Sequence, residues 1–214
     1  MDPGDYAEGD YFMGVRMGEV FTLGKEFAAM ELPEIETLLE QDIHEARACA
    51  VKIMALQASG KKTPEVRCRG LYELYRRRHD RINNWDLVDL GAGRIVDGWL
   101  MDKPRDVLYQ LARSADMWER RTAIVATSRF LRSGDLADTF AIAELLLGDK
   151  EDLIHKALGG WVRDAGRGPP SAPRLSGRAR GHHAADSAPI LDRAPGQVAA
   201  RALSGPEKPL IPPF

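Results

Sequence analysis

The chain has 214 residues, 44% of them hydrophobic, 29% charged and 7% aromatic, with a formal net charge of -2, so one sizeable core and one or two domains are allowed. No apolar stretch approaches the roughly 18 to 20 residues of a membrane span, and the acidic opening MDPGD lacks the basic and apolar regions of a secretory leader; a cytoplasmic protein is expected. Two cysteines, Cys49 and Cys68, are too few for a disulfide framework or a zinc cage. Both fall in helical patterns where a buried thiol is expected, so neither a metal nor a cofactor is anticipated.

Along the chain the periodicity is helical almost throughout. Ile35, Leu38 and Leu39, then Ile43, Ala46, Ala50, Ile53 and Met54, recur at three- and four-residue steps that lay one apolar stripe along each segment. Strand alternation is absent. Pro33 and Pro64 stand where helices begin, with Thr63 placed to cap the latter, and Gly60, Gly134 and Gly148 stand where helices end. About eight helices joined by short loops are expected.

A fixed-period self-similarity underlies these helices. DIHEARACAV, Asp42 to Val51, resembles DMWERRTAIV, Asp116 to Val125, and EDLIHKALGG, Glu151 to Gly160, is a weaker third copy. Arg47, Arg121 and Lys156 fall in register. The spacing fits a two-helix unit with one copy unaccounted for, and Asn84 and Trp85 fall where that copy belongs. Stacked helical pairs curve, and equivalent positions line the concave face, so basic residues in register predict a stripe able to neutralise a phosphate backbone.

The segment from Asn83 to Asp89, NNWDLVD, puts Trp85 and Asp89 four residues apart and hence on one helical face. Two readings stay open at this point. In one, Trp85 fills core, Asp86 caps or pairs and Asp89 is solvated; in the other, an aromatic plate and a carboxylate serve a ligand. Arg120 and Arg121 follow Trp118 and read either as an exposed ion-pair face or as anion ligands. The cluster of Arg76, Arg77, Arg78 and Arg81 with Lys61 and Lys62 contains no aromatic residue and is simplest as a solvated helix end. His44 and His155 occupy comparable places in their repeats, suited to hydrogen bonding at helix starts.

Beyond Gly166 the composition breaks. Residues 167–214 hold nine of the thirteen prolines and seven Lys or Arg against three Asp or Glu, a net of +4, whereas residues 1–166 carry -6 and all the tryptophans and tyrosines. A segment so rich in Pro, Gly, Ala and Arg cannot bury enough apolar area to offset the entropy of ordering it, and a disordered tail is expected.

Four collinear blocks carry a family resemblance: YFMGVR (Tyr11 to Arg16), INNWDLVDL (Ile82 to Leu90), MWERRTAIV (Met117 to Val125) and DKEDLIHKALGGWVR (Asp149 to Arg163). Together they resemble the AlkD-type DNA alkylation-repair glycosylases over about residues 6–166. The resemblance implies an all-α, HEAT-like helical-repeat solenoid, a glycosylase domain over residues 1–166, and duplex DNA containing alkylated purines as partner, handled by a monomer that needs no metal or cofactor. It implies excision of N3-alkyladenine or N7-alkylguanine without base flipping. Carried over by motif, Trp85 would face the deoxyribose, Asp89 would lie near the anomeric carbon and Arg121 would hold a phosphate beside the lesion. Arg47, Arg120, Lys156, Trp161 and Arg163 would be DNA contacts.

The chain departs from the family pattern in three places. Gly159 is followed by Gly160 and only then by Trp161, where relatives have a tryptophan directly after a single glycine. Helices expected ahead of YFMGVR are missing, and the helical pair expected after GWVR gives way to the proline-rich tail. Codons for Arg180 to Arg193 can be chosen so that a shifted frame encodes a family-like helix, which predicts a frameshift product. The alternatives are an inactive truncated glycosylase, a non-catalytic nucleic-acid-binding solenoid and a protein scaffold.

Overall fold

The computed structural model describes residues 10–167. The expectations for the tail and for the segments flanking the four blocks fall outside these residues. In chain order the helices are α1 (Met17–Glu26), α2 (Leu32–Leu39), α3 (His44–Ala58), α4 (Glu65–Arg77), α5 (Trp85–Gly91), α6 (Asp97–Leu100), α7 (Asp106–Leu111), α8 (Met117–Val125), α9 (Ser128–Arg132), α10 (Ala137–Leu146) and α11 (Asp152–Arg167). A 3-10 turn, His79–Arg81, precedes α5, and a π turn, Ala92–Val96, joins α5 to α6. Extended pairing among the described residues is confined to a single parallel bridge, Tyr11 with Ile43. The expected all-helical architecture is thus found, with more and shorter helices than the periodicity suggested. The π turn and the break between α8 and α9, where the Thr127 hydroxyl donates to the Ile124 carbonyl, divide runs that look continuous in sequence.

Local chemistry accounts for the ends. Pro33 lies in the first turn of α2, where Glu31 and Glu34 form a reciprocal capping box. Asp116 caps α8 by accepting from the Trp118 backbone N–H at 2.8 Å. Gly134 takes φ 86°, a left-handed conformation that stops α9. Thr63 does not cap α4; its hydroxyl donates to the Gln57 carbonyl at 2.6 Å, fixing the turn between α3 and α4 instead.

The repeat register translates into packing. α3 lies against α1 and α2 on one side and α5 on the other; α5 packs on α8, and α8 packs on α11. The two similar segments at α3 and α8 and the weaker copy at α11 therefore stand in one row, with α5 in the place of the copy the sequence lacks. Such a row, in which each element touches its neighbours, is how helical repeats bury faces they cannot bury alone. α3 is central and buried on several sides: Ala48, Ala50, Val51, Ile53, Met54 and Ala55 are each at most 1% exposed. Gly91 allows α5 to sit close, because a Cβ there would overlap the buried Tyr75 ring and crowd Val51.

Part of the basic cluster at the end of α4 is tied down, while Arg76, Lys61 and Lys62 stay exposed as expected. Arg77 pairs with Glu36 at 2.7 Å, Arg78 with Glu40 and Asp80, and Arg81 with Asp42 and the Glu40 and Gln41 carbonyls. These bonds clamp α4 onto α2. Cys49 and Cys68 are half-buried free thiols rather than fully buried ones. Among the described residues no helix is long and apolar enough to cross a membrane, and no group of three His, Cys, Asp or Glu side chains is placed to hold a metal ion.

Candidate active site on α5 and α8

Trp85 and Asp89 share the outward face of α5, as their spacing predicts; Trp85 is 40% exposed. Asp89 faces α8 as well as solvent, and there it receives Arg121 in a bidentate pair. Nε donates to one carboxylate oxygen at 3.1 Å and Nη2 to the other at 2.9 Å, while Nη1 donates to the Leu153 carbonyl at 2.6 Å. Arg121 is 6% exposed, so its guanidinium acts as a buried fork that fixes the carboxylate in plane. The Asp89 side chain keeps 35% of its surface open. A carboxylate oriented from behind and open in front can stabilise a cation or position a water molecule.

Behind Arg121 the packing is polar and closed. Thr122 takes a hydrogen bond with His79 at 2.9 Å and one with the Tyr75 hydroxyl at 3.3 Å, both buried. Burial pushes the Tyr75 hydroxyl well above its ordinary pKa and holds His79 below its own, so both stay neutral.

A second polar cluster flanks Trp85. Asp10, 2% exposed at its side chain, accepts from Arg47, His44 Nδ1 and Asn84, and His44 Nε2 meets Asp86 at 2.8 Å. Burial alone would lower the His44 pKa, but the hydrogen bond and charge of Asp86, followed by those of Asp10, outweigh it and hold the value above normal. The Glu45 carboxylate accepts from the Met13, Gly14 and Val15 backbone N–H groups, which lowers its pKa against the opposing effect of burial. These bonds seat the extended segment before α1 on the start of α3 and, through Asp86, on the start of the helix that carries Trp85. His44 thus makes the helix-start hydrogen bonds expected of it, and His155 bonds the Asp149 carbonyl at 2.7 Å.

The predicted basic stripe does not form. Arg47 and Arg121 are in register, but both are buried and committed to aspartates, so neither is displayed for a phosphate. Arg120 is held by Asp149 through Nε at 2.6 Å and Nη2 at 3.1 Å and by the Ser114 and Ala115 carbonyls. Lys156 and Arg163 on α11 are exposed. Trp161 does reach the site: it lines, together with Asp89, a cavity of about 430 Å³ between α5, α8, α9 and α11. Arg94, Arg129 and Arg132 line the same cavity, and sequence reasoning did not single them out. The π turn is why Arg94 was missed, since its wider turn sets both Gly93 and Arg94 beside Asp89 where a regular helix would favour the i+4 position. A larger cavity, about 680 Å³, lies around Gln57, Lys61, Lys62 and Arg67 and touches none of the predicted site residues.

The described residues thus form an all-helical fold in which one helix presents an open carboxylate and an exposed indole, and three arginines line the adjoining cavity. Residues 4–174 match the model of the DNA alkylation repair enzyme family, and the chain belongs to that family. Searches of curated proteins and of solved structures gave no match. Membership supports an enzyme of DNA repair whose substrate is DNA.

Proposed function

We propose that the protein is an N-glycosylase that excises positively charged alkylated purines, such as N3-alkyladenine and N7-alkylguanine, from duplex DNA without drawing the base into a pocket. The observation that carries this reading is the Asp89 carboxylate, fixed from behind by Arg121 and open toward the side on which Trp85 is exposed. Alkylation makes the purine a cationic leaving group. When the N-glycosidic bond breaks, its electron pair leaves with the base, which departs neutral, and positive charge passes to the deoxyribose. No general acid is required.

In this scheme Asp89 stabilises the oxocarbenium-like sugar and orients a water molecule toward the anomeric carbon; the water's proton passes to the carboxylate or to solvent. Trp85 lays its electron-rich face against the cationic sugar. Arg121 acts on Asp89 rather than on a phosphate, and Trp161 closes the opposite side of the sugar site in place of the tryptophan that relatives carry one position earlier. Lys156 and Arg163 contact the DNA backbone.

The test is incubation of the purified chain with duplex containing N7-methylguanine, followed by chromatography for free base. Time-dependent release is expected. Tight binding of alkylated duplex with no release would replace this reading with a non-catalytic DNA-binding solenoid.

A further inference from the structure

Behind the Asp89–Arg121 pair, side chains from two elements meet at one hydroxyl. Tyr75 lies on α4 and His79 four residues on, in the 3-10 turn that follows, and both reach Thr122 Oγ1 on α8, at 3.3 Å and 2.9 Å. All three residues are buried, and the Tyr75 and His79 rings meet edge-on at 5.6 Å. A threonine inside a helix commonly returns its hydroxyl to a carbonyl of the preceding turn, as Thr22 and Thr37 do here with Gly18 and Pro33. The Thr122 hydroxyl is directed across the gap to α4 instead. Its one proton and its lone pairs let it serve both neighbours, as donor to one and acceptor from the other.

Tyr75 supports both halves of the pair in front of it. Its ring lies against Gly91, two residues after Asp89, where a Cβ would come within 2.4 Å of Cε2, so the ring sets how closely α5 can approach. Its hydroxyl bonds Thr122, the residue after Arg121, and so helps to set where α8 stands. The site needs such a spacer. The Arg121 fork reaches both Asp89 oxygens at once, at 3.1 Å and 2.9 Å, and a shift between the helices on the order of 0.5 Å would take one of these bonds out of hydrogen-bonding range. The trio is also neutral. Burial first, against the opposing hydrogen bond with Thr122, and then the nearby charge of Asp89 keep the Tyr75 hydroxyl protonated; burial keeps His79 uncharged against the pull of Glu119, Asp116 and Asp80. No charge behind the pair therefore competes with Arg121 for the carboxylate.

We infer that Tyr75, Thr122 and His79 are positioning residues for the reaction: they fix the spacing between α5 and α8 at which Arg121 holds Asp89 in plane, and they act on the substrate only through that pair. The inference rests on the proposed glycosylase reading and extends it from the residues that would face DNA to a layer that does not. Being buried, none of the three can touch a ligand, so their effect on excision has to pass through geometry. A reacting group displaced by about 1 Å can lose on the order of 100-fold in rate, and a partial displacement correspondingly less.

The experiment compares three readings: single-turnover release of N7-methylguanine, affinity for the alkylated duplex, and exchange of the Arg121 Nε–H with solvent, followed by heteronuclear NMR. Thr122→Val keeps the branched shape and removes the shared oxygen. It is expected to slow release by about 10-fold or more with affinity within about 2-fold of wild type, and to speed Arg121 exchange by about 10-fold. Thr122→Ser, which keeps the hydroxyl, should bring all three readings to within about 3-fold of wild type. Tyr75→Phe keeps the ring against Gly91 and the Thr122–His79 bond, and should fall between the two. Thr139→Val, at an equally buried threonine of α10 whose hydroxyl has no partner among the described residues, should change none of the readings. Wild-type release and exchange in Thr122→Val, or parallel losses of rate and affinity, overturn the inference; so does a loss in Thr139→Val as large as that in Thr122→Val. If Thr122→Val does not fold, wild-type release and exchange in Tyr75→Phe overturn it in the same way. Should the wild-type protein release no base, the glycosylase reading falls, and Arg121 exchange alone decides whether the three residues hold the pair.

Discussion

Arg47 and Arg121 occupy the same place in two copies of one repeat, and each grips an aspartate, yet the two pairs differ in what they leave open. Asp10, the partner of Arg47, is 2% exposed and also bonded to His44 and Asn84; Asp89, the partner of Arg121, is 35% exposed and bonded among the described side chains to Arg121 alone. The first pair has no capacity left for a ligand and serves to fasten the segment before α1. The second has a free side facing a cavity. Equivalent register therefore produced the same device twice, and the exposure of the acid separates fastening from chemistry.

Breaking the closed pair should give the largest change in stability. Asp10→Asn leaves Arg47 buried without its carboxylate and is expected to cost about 3–5 kcal/mol, read as a lower urea midpoint. Asp89→Asn, the matching change in the open pair, should cost only about 1 kcal/mol, because Arg121 keeps its bond to the Leu153 carbonyl and the site is partly solvated. Equal losses would erase the distinction.

A smaller effect should come from Gly91→Ala. The added methyl meets the Tyr75 ring and Val51, so α5 must shift outward, at a cost of about 1–3 kcal/mol by thermal unfolding. Since α5 carries Asp89, this substitution should also lengthen the Arg121–Asp89 contact and lower base release, and it should strain the Asn84–Asp10 and Asp86–His44 bonds that tie the start of the same helix to the closed region.

The smallest expected change is a pH dependence confined to the closed region. His44 faces Asp10 and Asp86, with Arg47, Asn84 and the Phe12 ring also packed around it. Its folded pKa lies above the unfolded value, so its stabilisation is complete below about pH 6.5 and is lost as pH rises through the folded value. The stability gap between wild type and His44→Gln should therefore narrow from pH about 6 to about 9. Glu45 and His79 titrate in both proteins and cancel in the difference. A gap that widens with pH would contradict the assignment of His44 as a charged tie.

Much of the frame was legible in the sequence, for reasons that also mark the limit. Periodicity and capping residues give the helices, and the similarity of the α3 and α8 segments gives their row, because both are local properties. Four-residue spacing places Trp85 and Asp89 on one face. What the sequence does not show is the partner across the gap: Arg121 meets Asp89 from 32 residues away and Arg47 meets Asp10 from 37, and register alone made both arginines look like surface cations. Arg94 was hidden by the π turn, and Arg129 and Arg132 by the unforeseen break after α8, which turns α9 back toward the cavity.

The central claim is that the open carboxylate performs chemistry that the closed one does not. It is tested most directly by single-turnover release of N7-methylguanine from duplex DNA at saturating protein, comparing wild type with Asp89→Asn. The account predicts a rate lower by about 10- to 1,000-fold with duplex affinity nearly unchanged, the signature of a group that acts on the transition state. Equal rates for the two proteins would contradict it.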